Sequence, residues 1–354
     1  MKRYSIIKAD IESDKNEIIS LLQHADWNES YNTLDYDWKY LIAPFKTPKC
    51  WFAIENETDK LIGIASLFPR NIWVNRKPVN TFTLGDFYIE KKYRGFGLAL
   101  LLQKNIYNES YQMKNKQLIF GIANKQSKVI AEKTGYTNMG AITQYIKPLY
   151  LSHIAEYKQH YPKILKIKTV QKMLDIFFSV TARERYRRKK NKYRIEIRHS
   201  FDKQFDIFWD KAVQGFNIIS EKSSKILNWR YANHPREKYS IFSLKDNQQL
   251  LGYIVYAEIN NNHQIYDLCY LKNQSILSDL LLEFSLYSRD KQISSIIMYY
   301  LGDKQIIREL RKFNFHPVSY HVQDLLVGTM HFDADESAMV NNPSNWNLLL
   351  GDKY

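Results

Sequence analysis

The sequence contains little cysteine and no long apolar run. Among its 354 residues there are 2 cysteines, Cys50 and Cys269, which lie too far apart for a disulfide framework or a metal-ligand spacing. No uninterrupted apolar stretch approaches the ~20 residues that span a bilayer. Residues 1–3 lead into a mixed segment without the apolar core of a signal peptide. We therefore expect a protein of a reducing, cytoplasmic compartment.

The motifs of several enzyme classes are also missing. The sequence has no G-x-S-x-G nucleophile elbow and no G-x-x-x-x-G-K-[ST] phosphate loop. It has no His-x-x-x-His or Cys-x-x-Cys pair, so we expect no bound metal. Serine hydrolases, P-loop nucleotidases and zinc enzymes are thereby disfavoured.

Basic residues outnumber acidic ones, and the excess is unevenly distributed. The net charge of +14 divides into +6 for residues 1–150, +10 for 151–200 and −2 for 201–354. Most of the excess therefore lies in a connector of about fifty residues. We expect an anionic partner to dock on this connector rather than on either flanking part.

One stretch combines an apolar strand, a glycine-bearing turn and a helix. The strand covers Thr81–Ile89, the turn Glu90–Gly97, and the helix begins at Leu98. A helix N-terminus presents unpaired backbone N–H groups at the positive end of the helix dipole, which favours an anion. Arg94 adds a cation beside the glycines, so the stretch fits a phosphate site, although a turn that merely needs glycine fits it equally well.

The run Tyr93–Ala99 resembles the acyl-CoA pyrophosphate loop of the GNAT acyltransferase superfamily, written Q/R-x-x-G-x-G/A. Read from Arg94, the match comprises Arg94, Gly97 and Ala99. The position of the motif, after a strand and before a helix, strengthens the resemblance. It covers residues 1–149, whose predicted order of strands and helices is that of the superfamily.

The resemblance implies acetyl-CoA, or another acyl-CoA, as a co-substrate that transfers its acyl group directly to an amine. No metal is implied. The implied cofactor contacts are Tyr88 and Ile89 for the pantetheine arm, Arg94, Gly95, Phe96, Gly97, Leu98 and Ala99 for the pyrophosphate, and Asn124 and Ser127 at the start of the next helix.

An amine nucleophile must lose a proton, which requires a base. The glutamate that some GNAT enzymes carry before the loop corresponds to Thr81, which cannot act as a base. Asp86 is the carboxylate inside the strand, and we predict it as the base, with a structural hydrogen bond at a bulge as the alternative. His234 is a reserve base. The tyrosine acid of the superfamily corresponds to Ala131, which departs from the pattern.

The order of elements repeats in the last part of the chain, with little identity. The predicted hairpin 239–258 matches 50–68, and the strand 263–271 matches 81–89. The loop after the second strand, Lys272–Ser275, lacks glycine and therefore lacks a phosphate cradle. We predict an α+β sandwich of two GNAT-like domains, each a mixed, mostly antiparallel sheet flanked by helices. Their predicted bounds are 1–149 for the acyl-CoA domain, 150–200 for a basic helical connector and 201–354 for a degenerate second domain.

Two further segments admit more than one interpretation. Residues 163–194 form a basic, amphipathic pattern that predicts a linking helix or, alternatively, contact with an anionic membrane surface. Residues 227–235, LNWRYANHP, combine groups that stack on and hydrogen-bond a sugar or nucleotide, although the end of a helix with buried aromatics fits equally. This segment also resembles uncharacterised two-domain acyltransferases of surface-glycan assembly, which suggests an amino-sugar acceptor.

The sequence leaves three functions open. The first is an acyl-CoA-dependent N-acyltransferase acting on a small-molecule amine. The second is an aminoacyl-tRNA-dependent, Fem-like transferase, which the basic connector favours. The third is a catalytically silent CoA-binding protein. Because a tRNA-dependent enzyme needs no pyrophosphate cradle, the glycine loop favours the first and makes nucleic acid an unexpected partner.

Overall fold

The computed structural model describes residues 3–25, 30–95, 97–150 and 192–353, with isolated positions between 167 and 176. We call residues 1–150 the front half and residues 192–354 the rear half. Most of the basic connector, including most of the predicted membrane-contact segment 163–194, lies outside the described residues.

The described strands are β1 Tyr4–Ala9, β2 Lys49–Glu55, β3 Lys60–Val74, β4 Lys77–Ile89, β5 Gln117–Ala123, β6 Thr137–Pro148, β7 Arg194–Arg198, β8 Ile218–Ser220, β9 Ser240–Asp246, β10 Gln249–Ile259, β11 Asn262–Tyr270, β12 Ser295–Gly302, β13 His316–Met330 and β14 Trp346–Leu349. The described α-helices are α1 Lys15–Gln23, α2 Thr33–Tyr36, α3 Leu98–Gln112, α4 Lys125–Thr134, α5 Lys203–Ala212, α6 Ser224–Leu227, α7 Gln274–Asp290, α8 Lys304–Lys312 and α9 Ala334–Val340. Two single π-helical turns, Asp37–Leu41 and Asn228–Ala232, follow α2 and α6.

The strands of both halves join in one mixed, mostly antiparallel sheet. Its order is β1-β2-β3-β4-β5-β13-β6-β12-β11-β10-β9-β7, with β8 and β14 bridging β3 and β12. The predicted mixed α/β class with a mostly antiparallel sheet is confirmed. The two halves do not have separate sheets, however, and the division into two domains stays a prediction.

The two halves contribute strands to the sheet in the same order, each counted from its own edge towards the centre. Each half contributes five strands in chain order, and the fourth and fifth of each, β4 with β5 and β11 with β12, pair in parallel. The two halves then exchange their next strands: β5 pairs with β13 from the rear half, and β12 pairs with β6 from the front half. The repeat of elements seen in the sequence is therefore present, with an exchange of strands at its centre.

The hairpin before the glycine loop is longer than the sequence indicates. The predicted hairpin ends at residue 68, but β3 continues through Pro69 to Val74. Pro69 lies beyond the last β2 pairing, Lys49 with Leu67, so the strand has no β2 neighbour there that needs its missing N–H. The turn to β4 uses Asn75 and Arg76, both with positive φ, as tight hairpin turns require.

Helix α3 packs one face against the front half of the sheet. Its buried apolar residues are Leu98, Leu102 and Ile106. The sequence does not show which of the consecutive apolar residues Leu98–Leu102 face the sheet, and Leu101 is 45% exposed. Asn124, predicted at the start of the next helix, caps α4, and the following Gly135 has φ +116°.

Candidate active site

The two parallel strands of the front half diverge and leave a cavity between them. Strands β4 and β5 pair at Thr81–Thr83 and Leu118–Phe120, and beyond these positions both line a cavity of about 960 Å³. Gly121 lies where they separate, and a Cβ there would come within 3.0 Å of the Leu84 side chain. We call this space the front cavity; helices α3 and α4 flank it.

The glycine loop forms one end of the front cavity. Gly97 caps α3 with φ +77°, and Gly95 has φ +91°, conformations that glycine adopts without strain. A Cβ built on either glycine would meet nothing within 4 Å, so the loop faces open space. Because Gly97 provides no side-chain cap, the N–H groups of the first helical turn are left without one and can bind an anion.

Arg94 is fixed beside this loop. Its Nε donates a hydrogen bond to the carbonyl oxygen of Ile89 at 2.8 Å, and its guanidinium lies 5.6 Å from the centre of the Tyr88 ring. The side chain is exposed and lines the cavity. The arrangement places a cation at the end of the cavity where the helix dipole is positive, which suits a diphosphate.

Asp86 lies at a bulge in β4, on the wall of the same cavity. The bulge is opposite Ala65, where the β3–β4 register shifts, and Asp86 has φ +44°. Its carboxylate is 4% exposed and accepts hydrogen bonds from Lys39 Nζ at 2.8 Å and Tyr40 Oη at 2.9 Å. The structural hydrogen bond weighed as an alternative is therefore present, and the role of Asp86 as a base stays a prediction.

His234 lies away from the front cavity, against Trp38 and Tyr239. Its ring centre is 4.6 Å from that of Trp38, and its Nδ1 accepts the backbone N–H of Glu237 at 3.0 Å. Burial lowers the pKa of His234 to about 4, so the ring is neutral at pH 7. The structure does not bring His234 and Asp86 together at the cavity wall.

The corresponding opening in the rear half is filled by the chain itself. Strands β11 and β12 pair in parallel at Asn262–Ile265 and then diverge. Strand β14 pairs with β12 beyond this point, and the turn Leu350–Lys353 packs on β11: a Cβ on Gly351 would lie 2.8 Å from the Tyr266 carbonyl oxygen. No comparable room for a ligand remains between these described strands.

The loop that follows β11 also differs from the front loop. Asn273 caps α7, and its side chain accepts the N–H of Ser275 at 3.2 Å. A first-turn N–H that Gly97 leaves open in the front half is therefore satisfied by a side chain in the rear half. The sequence predicts no phosphate cradle in the rear half. There, a side chain caps the helix after the loop, and the chain itself occupies the space between β11 and β12.

No protein-family model matches this chain, and no curated protein matches it. Solved structures do. N-myristoyltransferase from Saccharomyces cerevisiae with bound myristoyl-CoA aligns over 100% of this chain and 88% of its own, with TM-score 0.58 and 13% identity. A probable N-acyltransferase from Enterococcus faecalis V583 aligns over 92% of this chain and 72% of its own, with TM-score 0.64 and 12% identity. A GCN5-related N-acetyltransferase from Anabaena variabilis has the same coverage, with TM-score 0.60 and 13% identity.

This chain has the GNAT fold. The alignments extend over both halves, so the fold, including the arrangement of the rear half, is that of these structures. At 11–13% identity the likeness concerns the fold, and the chemistry of the GNAT site has to be argued from the residues.

Most of the predicted cofactor residues lie on the wall of the front cavity. Those that line it are Tyr88, Ile89, Arg94, Gly95, Gly97, Ala99, Asn124 and Ser127. The Leu98 side chain instead belongs to the apolar core, so its backbone alone faces the loop. Phe96 lies outside the described residues. The Asn124 side chain caps α4 and also accepts a hydrogen bond from Ser127 Oγ at 3.0 Å.

The position implied for the GNAT tyrosine acid carries no hydroxyl. Ala131 lines the cavity. The nearby Tyr136 is buried in the core, where burial raises its pKa above the usual value and its hydroxyl has no partner among the described residues. Neither residue offers a proton donor at the cavity.

A symmetric tryptophan contact between the two halves was not predicted from the sequence. Trp38 and Trp229 stack with ring centres 4.9 Å apart, and each indole N–H donates to the other residue's carbonyl oxygen at 2.9 Å. Each is followed by a basic residue and a tyrosine whose hydroxyl donates to an aspartate, Tyr40 to Asp86 and Tyr231 to Asp267. The signal was present in the sequence as Trp-Lys-Tyr at 38–40 and Trp-Arg-Tyr at 229–231.

Residues 227–235 are part of this contact and do not form an exposed platform. Trp229, Arg230 and Tyr231 are all at most 5% exposed. The alternative of a helix end with buried aromatics therefore describes the segment. Close to it, Lys222 forms buried ion pairs with Asp267 at 2.8 Å and Asp352 at 3.4 Å.

Two features bear on partners of this GNAT fold. None of the helices in the described part of the chain has the length and apolar character that crossing a membrane requires. Within the same residues, no cluster of three histidine, cysteine or acidic side chains is arranged to hold a metal ion.

Proposed function

We propose that this protein is an acyl-CoA-dependent N-acyltransferase that binds one acyl-CoA in the front cavity. One observation carries the proposal: the cavity between the diverging strands extends from an uncapped glycine loop to Asp86, whereas the rear counterpart is filled by residues 346–353. We therefore propose one thioester site within the described residues.

The residues at the loop fit a diphosphate. The first-turn N–H groups of α3 and the guanidinium of Arg94 supply hydrogen-bond donors and positive charge, and no Cβ occupies the space beside Gly95 and Gly97. The N–H of Glu90 donates to Ile62 on β3, so in the alternating pattern of a strand the peptide groups of Ile89 face the cavity. There they would pair with an amide of the pantetheine arm.

The transfer step that we propose joins the amine to the thioester carbonyl. An acceptor ammonium first gives a proton to a base, for which we propose Asp86. The free amine then forms a C–N bond to the carbonyl carbon and the C–S bond breaks. The proton that the nitrogen loses on forming the amide passes to the CoA thiolate, so CoA leaves as the thiol, and Asp86 returns its own proton to solvent. We propose an acetyl group as the acyl group, and a small-molecule amine as the acceptor, with an amino sugar of surface-glycan synthesis as the candidate class.

Acyl-CoA binding is tested by thermal unfolding and calorimetry with CoA and acetyl-CoA. At a hundredfold excess of ligand over Kd, binding adds about 2.7 kcal/mol to the free energy of unfolding. The double variant Arg94→Glu, Gly97→Trp should lose this gain, because it reverses the charge and fills the loop. Release of CoA thiol over a panel of amines, including nucleotide-linked amino sugars, then reports turnover.

The same experiment separates the competing functions. A catalytically silent CoA-binding protein is favoured by the occupied oxygens of Asp86, and it would bind CoA without releasing thiol with any amine. Binding of aminoacyl-tRNA without any response to acyl-CoA would instead indicate the tRNA-dependent transferase. Unchanged turnover in Asp86→Asn would remove Asp86 as the base.

A further inference from the structure

Gln103 has a buried carboxamide oxygen without a partner on the wall of the front cavity. The residue is 5% exposed, and its Oε1 accepts no hydrogen bond within the described part of the chain. A buried acceptor left without a donor is costly, and native proteins seldom leave one without a reason. The position of Gln103 on the cavity wall points to a donor supplied by a ligand.

The position of Gln103 on α3 supports this reading. Gly97, Ala99 and Leu100 from the same segment line the cavity with it. Gln103 follows Leu98 by five residues, which is about 7.5 Å farther along the helix axis. A ligand that has its phosphates at the glycine loop and extends into the cavity would pass this point.

The cavity also carries donor side chains, among them Arg94, Gln126 and Lys133, but none of them is a hydrogen-bond partner of Gln103 Oε1 within the described residues. Much of the cavity lining is apolar and comes from both strands, from α4 and from β13; it includes Leu84, Ile122, Ile130 and Leu326. These side chains can pack against a chain of methylene groups but cannot donate to Oε1.

We infer that Gln103 is a binding residue for the thioester co-substrate and that its Oε1 accepts a hydrogen bond from an N–H or O–H group of the bound acyl-CoA. The inference rests on the proposed function. Between the diphosphate and the far end of the acyl group, an acyl-CoA carries such donors in two parts: the pantetheine arm, with its amide N–H groups and a hydroxyl, and the acyl chain where it bears a hydroxyl.

The test compares Gln103→Met with the wild-type protein. Methionine has a similar unbranched shape but no strong acceptor. Calorimetry gives Kd for CoA, butyryl-CoA and 3-hydroxybutyryl-CoA, and urea unfolding gives the stability of the ligand-free protein. Ser110→Ala is the matched control, because Ser110 is on the same helix, is equally buried and unpartnered, and does not line the cavity.

We expect Gln103→Met to weaken binding about five- to tenfold, the effect of one lost hydrogen bond. Equal weakening for all three ligands places the donor on the pantetheine arm, and weakening confined to 3-hydroxybutyryl-CoA places it on the acyl chain. The ligand-free variant should be no less stable than wild type, since it loses an unpaired acceptor and no hydrogen bond to it. Ser110→Ala should keep all three affinities within twofold.

Affinities within twofold of wild type for all three ligands in Gln103→Met would overturn the inference while leaving the proposed function intact. A marked loss of stability in the ligand-free variant with unchanged affinities would show that Gln103 is structural, and would also overturn it. Wild-type protein that binds no CoA at all would refute the proposed function, and this inference with it.

Discussion

The glycine loop allows a prediction in which the effect of a substitution on stability can be distinguished from its effect on CoA binding. Gly95 in the loop and Gly140 in β6 have φ +91° and +99°, and a Cβ on either would meet nothing within 4 Å. Alanine at either position therefore causes backbone strain without a clash, a cost of about 1–3 kcal/mol. Gly95 lines the front cavity and Gly140 does not, so the two variants should lose similar stability and differ in CoA binding.

The size of that difference follows from the hydrogen bonds of the loop. A hydrogen bond to a charged group is worth about 1.5–3 kcal/mol, so losing one from the diphosphate weakens binding at least tenfold. Urea unfolding should give a similar loss of stability for Gly95→Ala and Gly140→Ala. Calorimetry should give weaker CoA binding for Gly95→Ala alone. If the two variants bind CoA equally well, the loop is not the diphosphate site and the reasoning is refuted.

Three further predictions concern stability. Trp38→Ala removes the inter-half stack and the hydrogen bond that the Trp38 indole donates to the Trp229 carbonyl oxygen. It should lower the free energy of unfolding, measured in urea, by about 3–5 kcal/mol; a loss below about 1 kcal/mol would mean that the contact is incidental. Lys222→Met leaves the buried Asp267 and Asp352 without their lysine and should lower the free energy of unfolding by about 3–5 kcal/mol. Lys60→Met breaks the more exposed pair with Glu90 and should lower it by about 1 kcal/mol or less; equal losses in the two variants would contradict this. Burial lowers the pKa of His263 to about 4 from 6.5, so the unfolded chain binds more protons between these values and stability should fall as pH drops from 6.5 towards 4. The fall between pH 6.5 and 5 should be smaller in His263→Phe, and an identical fall would show that other groups cause it.

Much of the local structure could be predicted because local signals specify it. The strand, turn and helix around Gly95 and Gly97 were predicted from apolar alternation followed by glycine, and the cap at Asn124 from its residue type. The exposure of Leu101 could not be predicted, because the run of five apolar residues Leu98–Leu102 does not reveal which of them face the sheet. This residue lies within a single helix, and its exposure does not change the predicted position of the site.

The pairing of distant elements could not be predicted in the same way. Nothing in the local sequence of β13 indicates that it pairs with β5, two hundred residues earlier along the chain. The partners of Asp86 were missed for the same reason, since Lys39 and Tyr40 reach it from a π-helical turn far away in sequence. A comparison of the two Trp-basic-Tyr triplets would have linked Trp38 with Trp229, because matching triplets in matching elements indicate equivalent positions.

The exchanged strands at the middle of the sheet have a consequence for biosynthesis. While the front half emerges from the ribosome, β5 and β6 lack the strand that will lie between them, because residues 316–330 have not yet been made. Strand β6 also lacks β12, its other neighbour, so three strand edges must stay out of contact with other nascent chains until the rear strands have been made. A truncated protein that ends before β13 should be prone to aggregation through those edges, and chaperones that shield exposed strands should act on it longest.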